Sequence, residues 1–205
     1  MARILASALA ITAIHTAVVA ACSGRSDPAE AWGALCQFDS YFFRNVIEAG
    51  YHFPAEPYFE HAGNVAFFPG YPLLARGLVA VTGLPTEAAL LITAQLASVG
   101  FWIYFLLLLR CWKVPVVASA ACVALVVGHP AAFFLVCSYS ESTFLTALAG
   151  FVYWSGRTGP TAAVLAALHG FVMTATRLVG IPVAAYPFLM AWSKRSGSRG
   201  YAKAR

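Results

Sequence analysis

The chain has 205 residues, 60% of them hydrophobic and only 10% charged, where an average soluble domain carries roughly 25% charged residues. A mean hydropathy of +0.74 places it in the membrane class before any motif is read. The net charge of +5 comes without a lysine-rich run in the body of the chain, which argues against a nucleic-acid partner.

A bilayer core about 30 Å thick takes about 20 apolar residues of helix. In chain order, Ala2–Cys22 meets that requirement. Its alternative reading is a secretory leader, with MAR as basic head and VVAAC (Val18 to Cys22) as a lipoprotein-like cleavage box; the apolar segments that follow favour a retained span. Residues 23–85, or about that range, read as an outer loop that is aromatic and acidic, hence ordered. Within it, Gln37–Ala49 predicts a helix with Asp39 as a first-turn acid and Gly50 as its stop. Phe67–Gly83 is apolar but carries Pro69, Pro72 and Arg76, so it predicts a re-entrant or interfacial element. Thr86–Leu109 predicts a second span, and Val114–Val136 a third that Pro130 kinks or breaks. Shorter apolar stretches follow at Ser142–Trp154, Pro160–Thr176 and Leu178–Trp192. The expectation is an all-α, multi-pass membrane domain of about six spans over residues 1–192, with a basic cytoplasmic tail at 193–205.

Charge orients this arrangement, because cytoplasmic loops are enriched in Lys and Arg. With Phe67–Gly83 interfacial and the N-terminus inside, Arg3, Arg110, Lys113, Arg157 and the tail residues Lys194, Arg195, Arg199, Lys203 and Arg205 lie inside. Asp27, Glu30, Asp39, Glu48, Glu56, Glu60, Glu87 and Glu141 then all lie outside.

The five cysteines form no C-x-x-C pair. Cys22 and Cys36 either meet as a disulfide in an oxidising compartment or remain thiols in apolar surroundings. The five histidines lack ligand spacing, so no metal site is expected. Glycine-rich nucleotide loops, H-E-x-x-H and G-x-S-x-G are absent, and no cofactor is expected.

What remains is a set of polar residues near the outer face: Asp39, Arg44, Arg76, Tyr139, Glu141 and Arg177. Ionisable groups at membrane depth are costly and are functional candidates by default. Asp39 either takes a proton from a hydroxyl as a general base or caps a loop helix. In Asn64–Pro72 two prolines and a glycine fix a turn, and its aromatics either pack on a sugar or isoprenoid or form an interfacial belt. Ser138–Ser142 is either part of a site or a turn with a capping serine. Arg177, against the positive-inside trend, either holds a phosphate in its guanidinium fork or snorkels.

The order FDSYFFRNVIEAGY, NVAFFPGYPLL, HPAAFFLVCSYSES and TRLVG resembles the PIG-V mannosyltransferases over about Phe38 to Gly180, the N-terminal half of such an enzyme. The family usually has tryptophan where this chain has Phe38. The resemblance implies a GT-C glycosyltransferase of GPI-mannosyltransferase type, which moves mannose from a polyprenyl-phosphate donor (dolichyl-phosphate mannose in eukaryotes) to a lipid or glycan acceptor, with inversion. It implies Asp39 as the acidic residue of the first outer loop needed for activity, Glu141 in acceptor binding or pocket organisation, and Arg177 on the donor phosphate. The substrate-binding set expected from these motifs is Arg44, Tyr51, Asn64, Phe67, Phe68, Pro69, Tyr71, Tyr139, Glu141 and Arg177. The alternative is a truncated, non-catalytic membrane subunit with a second membrane protein as partner. A small transporter, resting on breaks at Pro130 and Pro182, is a third reading. Short loops and alanine-rich composition point to a bacterial cell membrane, with the endoplasmic reticulum membrane as the alternative.

Overall fold

The fold comes from a computed structural model that describes residues 1–53 and 63–189. The expected basic tail, Glu56, Glu60 and the end of the Leu178–Trp192 stretch lie outside the described residues. Among the described residues there is no strand. The helices are α1 (Ala2–Ala21), α2 (Pro28–Gly33), α3 (Ser40–Ala49), α4 (Gly70–Thr82), α5 (Thr86–Cys111), α6 (Val116–Val127), α7 (Glu141–Ser155), α8 (Pro160–Thr176) and α9 (Gly180–Val183), with a 3-10 turn at Ala132–Leu135.

The boundaries follow local chemistry. Pro28 and Pro160 open α2 and α8, where a missing N–H costs nothing. The Asp27 carboxylate accepts from Glu30 N at 2.9 Å and caps α2. Gly50 and Gly83 end α3 and α4 with φ of 81° and 69°, a backbone that favours glycine.

Among the described residues two helices, α1 and α5, are long and apolar enough to cross a membrane. At 1.5 Å per residue they reach about 30 and about 39 Å. α1 buries Ala8, Thr12 and His15, a single stripe at helical spacing that faces α5, where Thr12 Oγ1 donates to Ser98 Oγ at 3.5 Å. Only 17% of its most apolar window is buried. A helix apolar on all sides and so little covered leaves a large hydrophobic area unprotected from water. Length, composition and exposure together point to membrane association.

Six spans are not confirmed: among the described residues only these two helices have full spanning length. α6 has 12 residues, about 18 Å of helix, because the chain turns at Gly128-His129-Pro130 and Pro130 cannot continue a helix. α4 has 13 residues and is likewise short for a crossing, as a re-entrant or interfacial element would be. α7 and α8 have 15 and 17 residues, and beyond α9 the apolar helical stretch continues over Gly180–Leu189 to the end of the described residues. Of the two readings for Cys22 and Cys36, the structure shows thiols rather than a disulfide: all five cysteines are free, with Cys22 exposed.

α5 is the central helix, flanked by α1, α4 and α7, and α7 pairs with α8. α5 and α7 run parallel, since Thr146 donates to Ala97 O and Trp154 Nε1 donates to Tyr104 Oη at 3.0 Å. α8 returns antiparallel, held close by Gly150, where an added Cβ would sit 2.0 Å from the His169 ring. This topology gathers the end of α1, the starts of α3, α5 and α7 and the end of α8 at one pole. Arg110, Cys111 and Arg157 mark the other, where the Arg157 guanidinium lies 3.3 Å from the Tyr153 ring centroid and donates to Cys111 Sγ at 3.5 Å.

Candidate functional site

At the first pole lies a cleft of about 640 Å3 whose walls include Asp39, Phe43, Phe67, Phe68, Tyr139, Glu141, Thr176 and Arg177. Four separate stretches of sequence build it.

Asp39 precedes α3 at the N-cap position, yet its side chain makes no capping hydrogen bond. Its backbone carbonyl accepts from Phe42 N and Phe43 N, while among the described residues its carboxylate has no hydrogen-bond or ion-pair partner. It is an exposed acid held at a helix start, where negative charge is favoured by the helix dipole. The residue before it, Phe38, has φ 52° and is 80% exposed. That left-handed backbone is strained for a bulky residue.

The start of α3 is tied across the chain to the segment before α7. Ser40 Oγ donates to Ser138 O at 3.2 Å and contacts Ser138 Oγ directly, and Ser138 N donates to Leu35 O at 3.2 Å. Gln95 of α5 holds the same segment from below, donating to Val136 O at 3.3 Å. These bonds place Tyr139 beside Asp39. Burial, and next the Asp39 charge, push the Tyr139 hydroxyl up to about 12, so it is a neutral hydrogen-bonding group over the physiological range.

Glu141 begins α7 and Arg177 ends α8; they meet in an ion pair through Arg177 Nη1 and Glu141 Oε1. Their side chains retain 40% and 27% exposure, respectively, so the pair borders the cleft rather than lying in a dry core. The aromatic wall is fixed from α3. Phe67 stacks on Phe42 at 4.7 Å between centroids and meets Phe43 edge-on at 5.1 Å, and Tyr51 Oη donates to Phe67 O at 2.8 Å. Gly70 lets this wall approach α8: a Cβ there would lie 2.6 Å from Thr176 Oγ1 and 2.8 Å from the Ala175 backbone.

The sequence-predicted residues therefore divide. Asp39, Phe67, Phe68, Tyr139, Glu141 and Arg177 line one cleft. Tyr51 supports its wall through Phe67. Asn64 is buried and links α3 to the loop after it, donating to Asn45 Oδ1 at 2.7 Å and Gly50 O at 2.9 Å while accepting from His52 N at 2.9 Å. Tyr71 is buried with its hydroxyl on Leu90 O at 2.8 Å, and Pro69 holds the N-cap position of α4. These three are structural supports. Arg44 lies outside the cleft, bonded to Glu87 Oε1 at 2.5 Å and near Glu48 at 3.8 Å. Ser140, within the Ser138–Ser142 stretch, and Thr176, beside Arg177, also line the cleft, as does Phe43, which the sequence did not single out; Phe43 stands four residues after Asp39, on the same helix face. Among the described residues no group of three or more metal-ligating side chains occurs.

No family model, curated protein or solved structure matches this chain.

Proposed function

We propose that the chain is a membrane-embedded glycosyltransferase that moves a sugar from a polyprenyl-phosphate donor to a lipid or glycan hydroxyl on the outer face. The observation that carries this reading is an exposed carboxylate, without a partner among the described residues, sharing a cleft with an arginine and an aromatic wall. The similarity of its motifs to the PIG-V mannosyltransferases supplies the sugar, mannose, and the multi-pass GT-C arrangement.

The chemistry assigns each group a task. Asp39 takes the proton from the acceptor hydroxyl as its oxygen attacks the anomeric carbon. The bond from that carbon to the donor phosphate oxygen breaks, and the electron pair leaves with the phosphate. One displacement inverts the centre. Arg177 stabilises charge on the departing phosphate, and Glu141 positions its guanidinium. Asp39 and Glu141 are two acids against one arginine, but Glu141 is already engaged by that arginine; Asp39 is the carboxylate open to an acceptor. Tyr139, neutral beside Asp39, and the Phe67–Phe68 wall would hold the sugar. We place the protein in a bacterial cell membrane, with the lumenal face of the endoplasmic reticulum as the alternative setting.

The test is transfer of label from polyprenyl-phosphate mannose in membranes carrying the wild-type chain or Asp39→Asn. Transfer by wild type alone supports the assignment. Equal transfer by both, at equal protein level, removes Asp39 from the chemistry. A second reading, a membrane subunit acting with another protein, is favoured by α6, none of whose residues is buried within this chain. Stable co-purification with a second membrane protein that restores transfer would select it.

A further inference from the structure

Two of the five free thiols come together beside the cleft. Cys36 follows the turn after α2, and Cys137 lies in the segment before α7, about 100 residues later. Cys137 is 5% exposed and shares a buried cluster with Leu35 and Tyr139, against which Cys36 packs. The backbone holds them there. Ser138 N donates to Leu35 O at 3.2 Å, a bond between the peptide unit that leads into Cys36 and the one that leads out of Cys137. In sheets, Cα atoms that face each other across paired peptide units stand about 4.5–5.5 Å apart, and a disulfide spans about 4.4–6.8 Å. Burial, and next Cys36 itself, push the Cys137 thiol up to about 11, so the two sulfurs lie close enough to act on each other's charge.

The two are unequal. Cys36 is half-buried and lines a pocket of about 300 Å3 with Phe38, Tyr41 and Arg44, so a small oxidant reaches it from outside, whereas Cys137 is enclosed. Cys111 stands at the opposite pole beside Arg157, and Cys122 on α6. Cys22, exposed just past the end of α1, is the rival partner for Cys36. It has no backbone bond to the Cys36 segment like the one that joins Leu35 and Ser138. The pair also flanks the candidate site, since Asp39 closely follows Cys36 and Tyr139 closely follows Cys137.

We propose that Cys36 and Cys137 are a redox pair that closes to a disulfide on the outer face and straps the segment carrying Asp39 to the segment carrying Tyr139. The oxidant is the disulfide of a small thiol or of a thiol oxidoreductase, a class present in both outer compartments named above. The Cys36 thiolate attacks one oxidant sulfur, and the other leaves as a thiolate. The Cys137 thiolate then attacks Cys36 Sγ, the internal S–S bond forms, and the first oxidant sulfur leaves. Two protein thiols are oxidised, one oxidant disulfide is reduced to two thiols, and the two protons from Cys36 and Cys137 end on those thiols. The oxidising setting rests on the outward orientation in the reading above; the capacity to form the bond does not. Access to Cys36 makes the bond reducible as well as formable, so it is a reversible strap alongside the Ser40–Ser138 link.

The experiment is oxidation of the full chain in detergent micelles with oxidised glutathione, then alkylation of the remaining thiols, proteolysis and mass spectrometry. A linked Cys36–Cys137 peptide is expected, with Cys22, Cys111 and Cys122 alkylated, and dithiothreitol should remove the link. Cys22→Ser should keep it. Cys137→Ala and Cys36→Ala should each lose it, and the half-buried Cys36 position reads the pair even where a change at the core position unfolds the chain. Oxidation should raise the melting temperature of the wild type by about 5–10 °C, as expected for closing a loop of about 100 residues, and leave that of Cys36→Ala unchanged. A Cys22–Cys36 link, a link between two copies, glutathione retained on Cys36 without an internal bond, or a linked chain that melts no higher than the reduced one would each overturn the proposal. None of these readouts needs transfer. A strapped chain that transfers nothing leaves the redox pair standing and removes the transferase reading; transfer by a chain that never forms the bond does the reverse.

Discussion

Two arginine–glutamate pairs sit near the same pole, and they differ in what surrounds them. Arg44 of α3 binds Glu87 of α5 and has Glu48 at 3.8 Å, so two carboxylates share one guanidinium, which also lies 5.7 Å from the Tyr41 ring centroid. Arg177 binds one carboxylate, Glu141, and borders a cleft that also holds the unpaired Asp39. The two arginine side chains are about equally exposed, at 38% and 40%, but the first has two carboxylates on its guanidinium and the second one. Around the second, Asp39 and Glu141 together outnumber the single guanidinium and leave the cleft net acidic. If Arg177 binds a substrate as proposed, what separates it from Arg44 is the number of carboxylates already on its guanidinium.

Substitutions sharpen or break this contrast. Asp39→Asn keeps the shape and removes the base; transfer of labelled sugar is expected to fall about 10²–10⁴-fold, the range for general-base catalysis, with membrane protein level unchanged. Arg177→Ala should lower transfer about 10–100-fold, the equivalent of a charge-assisted hydrogen bond of about 1.5–3 kcal/mol. Arg44→Ala, measured in the same assay, should change it less than about twofold; an equal loss from both would erase the distinction. Asn64→Ala removes three hydrogen bonds at a buried side chain, at ~1 kcal/mol each, and should lower thermal stability in detergent by about 3 kcal/mol. The smallest effect belongs to Tyr139. Its folded pKa of about 12 exceeds the ordinary 10, so the native state holds its proton longer. Its contribution to stability is full below pH 10 and is lost as pH rises toward 12. Tyr139→Phe should flatten that alkaline decline in pH-dependent melting.

The sequence made the local features readable and left the long-range ones hidden. Pro160 and Arg177 bracket α8 because proline starts a helix and the chain turns extended at Arg177, and the expected Pro160–Thr176 boundaries match. Gly50 stops α3 as its position suggested. Pro130 was visible as a breaker, but its effect on α6 required seeing how little helix stands before it. The i, i+4 spacing of Arg44 and Glu48 is readable in the sequence, but the Glu87 and Glu141 partners of Arg44 and Arg177 lie 43 and 36 residues away and are not. The Ser40–Ser138 link, 98 residues apart in sequence, is equally silent in composition, yet it brings Asp39 to Tyr139. The placement of Tyr71 and Asn64 as supports follows from burial, which a polar–aromatic motif does not report.

Phe38 carries a consequence for how this chain would evolve. A phenylalanine in left-handed backbone, mostly uncovered, immediately before Asp39 is a poor choice for folding alone; asparagine adopts that conformation more readily. Selection for stability would replace it, so a library sorted for heat resistance should enrich Phe38→Asn, whereas one sorted for transfer should keep an aromatic ring. Divergence between the two outcomes would mark position 38 as a place where durability and turnover pull the same residue in opposite directions.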